Sequence, residues 1–177
     1  MVLVLIKMRA FIVCTILVFC CLAIGCKGYA YRVPTENMLP TIKVGETCIV
    51  DQYGKIEIQR FDIVMFNAPE WAKKISNEKG DIKFIKRIIG LPNEKIEIKE
   101  NRIYIDDVLL EEPFEKITGE KDKLKTFPAI VVPENEYFLL GDNRPKSMDS
   151  RYWKPATIKK EEVLGKVVEI LPIDVKK

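Results

Sequence analysis

The sequence predicts an all-β domain preceded by one N-terminal transmembrane helix. After residue 30, apolar residues recur with period two or in short continuous runs, and no helical apolar stripe there exceeds two turns. The membrane helix is predicted because residues 10–26 form a run of seventeen residues without a charge. A chain of 177 residues has room for one hydrophobic core. We expect a small insertion around residues 97–132.

The apolar run AFIVCTILVFCCLAIGC is at the lower limit of the roughly 17–25 residues that span a bilayer. Lys7 and Arg9 precede it, as expected for a short segment, residues 1–9, that stays in the cytoplasm. A cleaved signal peptide and a lipoprotein processed at Cys26 remain open alternatives, because LAIGC resembles a lipoprotein box. In each case residues 29–177 lie outside the cytoplasm. We expect a single-pass protein of the cell membrane, anchored in the lipid bilayer.

Alternating and continuous apolar segments predict the strands of the body. The predicted strands are residues 47–51, 62–67, 82–89, 95–99, 102–106, 130–132, 137–140 and 163–171. The clearest pair is KIEIK and RIYID, which are joined by Glu100 and Asn101. Alternation on both sides of a two-residue connection, with an Asn that tolerates positive φ, predicts a β-hairpin.

Composition excludes several kinds of site. The chain has no histidine, which excludes Ser–His–Asp catalysis, Cys–His catalysis and metal sites built on histidine. Four of the five cysteines lie in the apolar N-terminal run, and Cys48 is expected to pack as a small hydrophobic residue. The net charge of +3 comes from charges scattered singly along the chain, so no nucleic-acid partner is indicated. No metal or cofactor is indicated either.

One predicted strand, IKFIKRIIG (residues 82–90), carries a lysine among apolar residues. Side chains alternate along a strand, so Phe84, Lys86 and Ile88 share one face. If that face points inward, desolvation lowers the pKa of Lys86, as a general base requires. If the strand is an edge, the lysine extends to water instead. Arg87 points the opposite way and is expected at the surface or in an ion pair.

Short polar side chains are dense in LLGDNRPKSMDSRYW, residues 139–153. The letters GDN predict a tight turn, in which Asp and Asn side chains bond to nearby backbone. Ser147, Asp149 and Arg151 alternate, so an extended chain presents all three on one side. The last two can pair locally, and the serine offers a hydroxyl to hold an amine. A well-bonded loop without chemistry is the alternative.

Three segments, in this order, resemble the signal peptidase I family, membrane-anchored serine/lysine endopeptidases that remove signal peptides from exported proteins. VPTENMLPTI resembles the nucleophile box, FIKRIIGLPNEKIEI the lysine box, and GDNRPKSMDSR the terminal box G-D-N-x-x-x-S-x-D-S-R. The similarity spans about residues 10–172. It implies two antiparallel sheets with a site near the membrane surface. The implied partners are signal peptides or membrane-proximal segments of exported proteins.

The resemblance also implies roles for individual residues. Lys86 corresponds to the general base, and Ser147 corresponds to the hydroxyl that orients this lysine. Asp149 and Arg151 correspond to a pair that supports the site. No cofactor belongs to this mechanism.

One position, Asn37, departs from the family, which has its nucleophilic serine there. Thr35 lies where a hydroxyl helps to form the oxyanion hole, and Met38 matches a residue near the substrate. A carboxamide nitrogen is not a practical nucleophile, so the chain is expected to be catalytically impaired, a pseudoenzyme. We hypothesise that the Asn37 amide oxygen holds the Lys86 ammonium and raises the pKa of this lysine relative to that in an apolar site. The alternative function is a noncatalytic peptide-binding or surface-protein assembly factor on the same scaffold.

Overall fold

The computed structural model describes residues 28–52, 57–69, 82–118 and 126–173. Within these residues, eleven strands form two antiparallel sheets, which confirms the all-β, two-sheet prediction. The predicted N-terminal helix and the residues before it lie outside these ranges. Inside the ranges, no helix has the length and apolarity that a membrane span requires.

The strands alternate with short turns along the chain. In chain order they are β1 (Gly28–Arg32), β2 (Thr47–Gln52), β3 (Ile63–Asn67), β4 (Lys83–Gly90), β5 (Lys95–Lys99), β6 (Arg102–Ile105), β7 (Val108–Leu109), β8 (Phe127–Val131), β9 (Glu136–Leu140), β10 (Ile158–Lys159) and β11 (Val163–Leu171). The larger sheet has the order β1-β2-β11-β3-β4-β9-β10, and the smaller sheet has the order β7-β6-β5-β8. The strand β4 therefore lies inside the larger sheet, between β3 and β9.

Each predicted strand coincides with an observed strand, although the segment predicted at 130–132 covers only the end of β8. Three observed strands were not predicted. The strands β7 and β10 have two residues each, too few to show a period. The strand β1 is exposed at four of its five positions, so it lacks the apolar alternation that a half-buried strand displays. The insertion expected around residues 97–132 stays a prediction.

The predicted hairpin between β5 and β6 is confirmed. Lys99 pairs with Arg102, and the two residues between them, Glu100 and Asn101, have φ of 50° and 64°. Positive φ at both central positions is the requirement of a type I′ turn, whose twist matches that of the flanking strands. The two-residue connection from β6 to β7 also has positive φ at both positions.

The core consists of three hydrophobic clusters, and β4 contributes to all of them. Ile88 packs in the cluster around Phe66 and Trp153. Ile89 belongs to the cluster that joins the two sheets. Ile85 packs against the segment that precedes β2. Because its neighbours are buried on both faces, a polar side chain in the middle of β4 is enclosed by the core.

Cys48 packs in the third cluster, as predicted. Burial, with a smaller effect of the Glu46 carboxylate, raises the pKa of its thiol to about 11. At physiological pH this thiol is protonated and unreactive.

Candidate active site

Lys86 lies in the interior of the domain, with 1% of its surface exposed. It pairs with Val64 of β3, and its Nζ donates a hydrogen bond to the Ile85 carbonyl at 3.2 Å. Its ammonium lies 5.4 Å from the centroid of the Phe84 ring, on the same face of the strand. The inward orientation predicted from alternation is confirmed, and the alternative in which the lysine extends to water is wrong because Lys86 is almost fully buried.

The buried position of Lys86 changes its acidity. Desolvation lowers its pKa from 10.5 to about 8, because removing water penalises the ammonium. The carboxylates of Asp149 and Asp142 oppose this effect, and Arg151 adds to it. Lys86 therefore exchanges its proton near neutral pH, as a general base must.

Arg87 is buried in an ion pair, so the surface location that was left open for it is wrong. Only 7% of the residue is exposed. Its Nε and Nη2 donate to the two carboxylate oxygens of Asp142 at 2.8 and 2.6 Å, and its Nη1 donates to the Phe61 carbonyl at 2.8 Å. The hydroxyl of Thr41 also donates to Asp142. Sequence analysis did not identify this network, because a strand shows which way a side chain points but not what it meets.

The pair of Asp149 and Arg151 is also buried. Arg151 donates to both carboxylate oxygens, through Nε at 2.8 Å and Nη2 at 3.0 Å. The backbone N–H of Gly141 donates to the same carboxylate at 3.1 Å. Arg151 also donates to the Arg144 carbonyl at 2.7 Å. The pair thus holds the start and the end of the turn at residues 141–144.

This turn lies directly against residue 37. The N–H of Asn143 donates to the Asn37 carbonyl at 3.1 Å, and the Asn143 side chain donates to the Glu36 carbonyl at 2.9 Å. A Cβ atom added at Gly141 would lie 2.2 Å from Ser147 Oγ and 2.5 Å from the Asn37 carbonyl oxygen. Only glycine fits between these atoms, so the structure brings residue 37 and Ser147 together around Gly141.

Ser147 and Asn37 are not joined to Lys86 by hydrogen bonds. Ser147 is 4% exposed, and its Oγ has no hydrogen-bond partner within the described residues. In the same part of the chain, Lys86 Nζ donates only to Ile85, so the hypothesised Asn37–Lys86 hydrogen bond is absent. Asn37 is therefore not a source of a raised lysine pKa, and desolvation by burial has the largest effect on that pKa and lowers it. The orienting role of Ser147 stays a prediction.

Thr35 and Met38 occupy contrasting places. Thr35 is exposed beside the residue 37 turn, and its part in an oxyanion hole stays a prediction. Met38 has no exposed surface and packs in the third cluster with Ile85. The structure thus assigns Met38 a packing contact, and its contact with a substrate stays a prediction. In the described ranges, no three Cys, Asp or Glu side chains lie together as metal ligands would.

Replacing Lys86 with methionine is expected to stabilise the folded protein at neutral pH. The folded-state pKa of about 8 lies below the ordinary 10.5, so the unfolded chain binds more protons between these values. The free energy of unfolding therefore rises with pH through that window, and the cost of burying the ammonium is fully present below pH 8. A shift of this size corresponds to roughly 3 kcal/mol.

Urea unfolding in detergent, at pH 7 and pH 10, measures this effect. At pH 7, the free energy of unfolding of Lys86→Met should exceed that of the parent protein by up to about 3 kcal/mol. The parent's increase in unfolding free energy with pH should be absent in this variant. Lys95→Met is the control, because Lys95 is exposed and its pKa is raised by its hydrogen bond to Asp107. Equal pH dependence in the Lys86→Met and parent proteins would contradict the prediction.

Comparison with known proteins gives consistent matches. The family model described as signal peptidase, peptidase S26, matches residues 5–171. A probable signal peptidase I-2 from Synechocystis sp. is 32% identical over 150 residues, which cover 82% of this chain and 65% of the relative. Signal peptidase I V from Bacillus subtilis is 33% identical over 147 residues, which cover 76% of this chain and 80% of the relative. The chain thus spans about 65% of the length of the first of these relatives.

A solved structure is also similar. The crystal structure of a signal peptidase I from Enterococcus faecalis V583 superposes with a TM-score of 0.51 at 31% sequence identity. The superposition covers 64% of this chain and 98% of that chain.

Proposed function

Because the chain belongs to the signal peptidase family, peptidase S26, we propose that it binds signal peptides of exported proteins at the Lys86 site. We further propose that Asn37 leaves it impaired in cleaving them. The observation that carries the proposal is the buried lysine with a pKa lowered to about 8, close to the turn that contacts residue 37. Ionisable groups whose pKa is shifted by desolvation together with nearby charges cluster at functional sites.

The reaction proper to such a site needs a hydroxyl at residue 37. Lys86 would take the hydroxyl proton while the oxygen attacks the scissile carbonyl, and the lysine would then protonate the leaving amine. Asn37 has no hydroxyl, and its amide nitrogen cannot attack instead because its lone pair is delocalised into the carbonyl. Its side chain lacks the atom that forms the acyl intermediate, whereas the base and the turn that support the reaction are present.

The edge of β4 next to Lys86 suits an extended peptide. The strand β9 pairs with β4 from Arg87 onward, through Leu140, whereas Lys83 and Ile85 pair with β3 on the other side. The carbonyls of Lys83 and Ile85 accept hydrogen bonds from the side chains of Tyr31 and Lys86. A peptide strand added along this stretch would exchange these side-chain donors for backbone N–H groups and would pass Lys86.

The apolar run at residues 10–26 supports a membrane location for this function. The family match includes this run, and β1 begins at Gly28, directly after it. We propose a single-pass anchor that keeps residues 29–177 outside the cytoplasm and close to the bilayer, where signal peptides emerge. Cys26 processing as a lipoprotein would give the same location by another route.

A labelled signal peptide is expected to bind the full chain in detergent saturably, as measured by fluorescence polarisation. Gly141→Ala should abolish binding, because its Cβ would displace Ser147 or the residue 37 turn. Lys95→Ala, which changes an exposed residue of the smaller sheet, should leave binding unchanged. Equal binding of a scrambled peptide with the same composition would contradict the proposed function.

A further inference from the structure

The segment that follows β7 in the smaller sheet lies beside a turn of the candidate active site. Residues 110–118, called the strap below, follow β7 and run beside the turn at residues 141–144. The N–H of Ile117 donates to the Asp142 carbonyl at 2.9 Å, and the N–H of Arg144 donates to the Ile117 carbonyl at 2.9 Å. The strap thus forms a parallel bridge with the turn that contacts residue 37.

A buried ion pair adds a second connection. Glu112 of the strap pairs with Arg144 of the turn, and both side chains are only 5% exposed. The Nε of Arg144 also donates to the Gly141 carbonyl at 3.0 Å. Lys116 lies 3.0 Å from Glu112 on the strap itself. Loss of one partner from a buried pair leaves an uncompensated charge, so this contact resists separation of strap and turn.

An aromatic contact adds a third connection. The ring of Phe114 lies 3.9 Å from the guanidinium carbon of Arg87, and it packs edge-on against Phe61 at 5.6 Å between centroids. A ring face over a guanidinium attracts the cation and excludes water from it. Arg87 in turn binds Asp142, so the strap contacts two of the three arginines that hold the turn, Arg87 and Arg144.

These contacts add to a network of buried ion pairs. Each of the three buried arginines pairs with a carboxylate: Arg87 with Asp142, Arg144 with Glu112, and Arg151 with Asp149. In the described residues, Lys86 is left without a carboxylate hydrogen-bond partner.

We propose that the strap is part of the active site, and that Glu112 and Phe114 are positioning residues for it. They hold the turn at residues 141–144 against residue 37. This turn packs against Ser147 at Gly141 and brings the Asp142 carboxylate near Lys86, so a loosened turn would let water reach both residues. Their role in cleavage or peptide binding rests on the proposed function, but their effect on the Lys86 environment does not.

The test is the titration of Lys86, followed by NMR on the full chain with ¹³C-labelled lysine. In the chain as written, the midpoint is expected near pH 8. In Glu112→Gln and in Phe114→Leu, we expect it to rise by about one pH unit or more, because water reaches the amine. The charged groups that act on Lys86 are Asp149, Asp142 and Arg151, and all three are retained in these variants.

Asp107→Asn is the matched control, because it breaks the exposed Lys95–Asp107 ion pair and should leave the Lys86 midpoint unchanged. Glu112→Asp, which keeps the charge, should restore most of the parent titration. An unchanged midpoint in Glu112→Gln overturns the proposal, whether or not the melting temperature falls. If Glu112→Gln does not fold, Phe114→Leu carries the same readout, because the ion pair is retained.

An activity readout separates this proposal from the proposed function. In the Asn37→Ser background, Glu112→Gln should shift the pH profile of kcat upward with the Lys86 midpoint and leave KM nearly unchanged. A titration that shifts in a protein that binds no signal peptide supports the strap and overturns the proposed function. If the signal peptide binds while the Lys86 titration stays unchanged in Glu112→Gln, the proposed function is supported and the role of the strap is overturned.

Discussion

Asn37→Ser is expected to cleave a signal-peptide substrate at least ~10³-fold faster than the chain as written, and Asn37→Ser with Lys86→Ala is expected to lose this gain. The serine supplies the oxygen that attacks the scissile carbonyl, and buried Lys86 accepts its proton. Removing a nucleophile of this kind costs on the order of 10⁶ in turnover, and binding with the oxyanion hole retains ~10³–10⁴ over water. Initial rates in detergent measure the difference.

Asn37→Ala is the control for this experiment, because it shortens the side chain without adding a hydroxyl. It should stay as slow as the chain as written. If Asn37→Ser folds and binds the peptide but shows no cleavage, the site serves peptide binding or assembly of surface proteins and not cleavage. If the chain as written cleaves well, our chemistry of Asn37 is wrong.

Asp142→Ala is expected to lower the free energy of unfolding by about 3–5 kcal/mol. The substitution removes both acceptors of a bidentate ion pair and leaves the Arg87 guanidinium buried without a counter-charge. It also removes the acceptor of the Thr41 hydroxyl, which connects the segment after residue 37 to the turn. Urea unfolding at pH 7 measures the loss.

Asp107→Ala provides the comparison, because its ion pair with Lys95 is exposed and should contribute no more than about 1 kcal/mol. Replacing both members of the buried pair, with Arg87→Met and Asp142→Leu, should recover much of the lost stability. A loss below about 1 kcal/mol in Asp142→Ala would contradict the prediction, since it would mean that Arg87 finds water or another carboxylate.

Features that depend on neighbouring residues could be predicted from the sequence. The face of the strand on which the Lys86 side chain lies followed from alternation, because successive side chains in a strand point to opposite faces. Lys86 therefore shares the apolar face of Phe84 and Ile88. The hairpin at Glu100 and Asn101 followed from a two-residue connection, since few turns join strands so closely. Both are local rules of backbone geometry, so they hold before the partner strands are known.

Contacts between residues that are distant in the sequence could not be predicted in this way. Arg87 meets Asp142 across 55 residues, and Arg144 meets Glu112 across 32. No sequence period links such positions. The sequence alone therefore did not decide whether Arg87 lies at the surface or in an ion pair, and it did not single out Glu112.

The sequence by itself determined that the body of this protein is built of strands and that one of them carries a lysine on an apolar face. That Asn37 stands at the family's nucleophile position is a prediction from resemblance. Only the tertiary structure decided which carboxylate each buried arginine pairs with, and that Lys86 has no carboxylate hydrogen-bond partner in the part of the chain that the structure describes. The reason is physical: strand periodicity is a property of a few consecutive residues. The pKa of Lys86 depends on water and charges brought to it by distant segments.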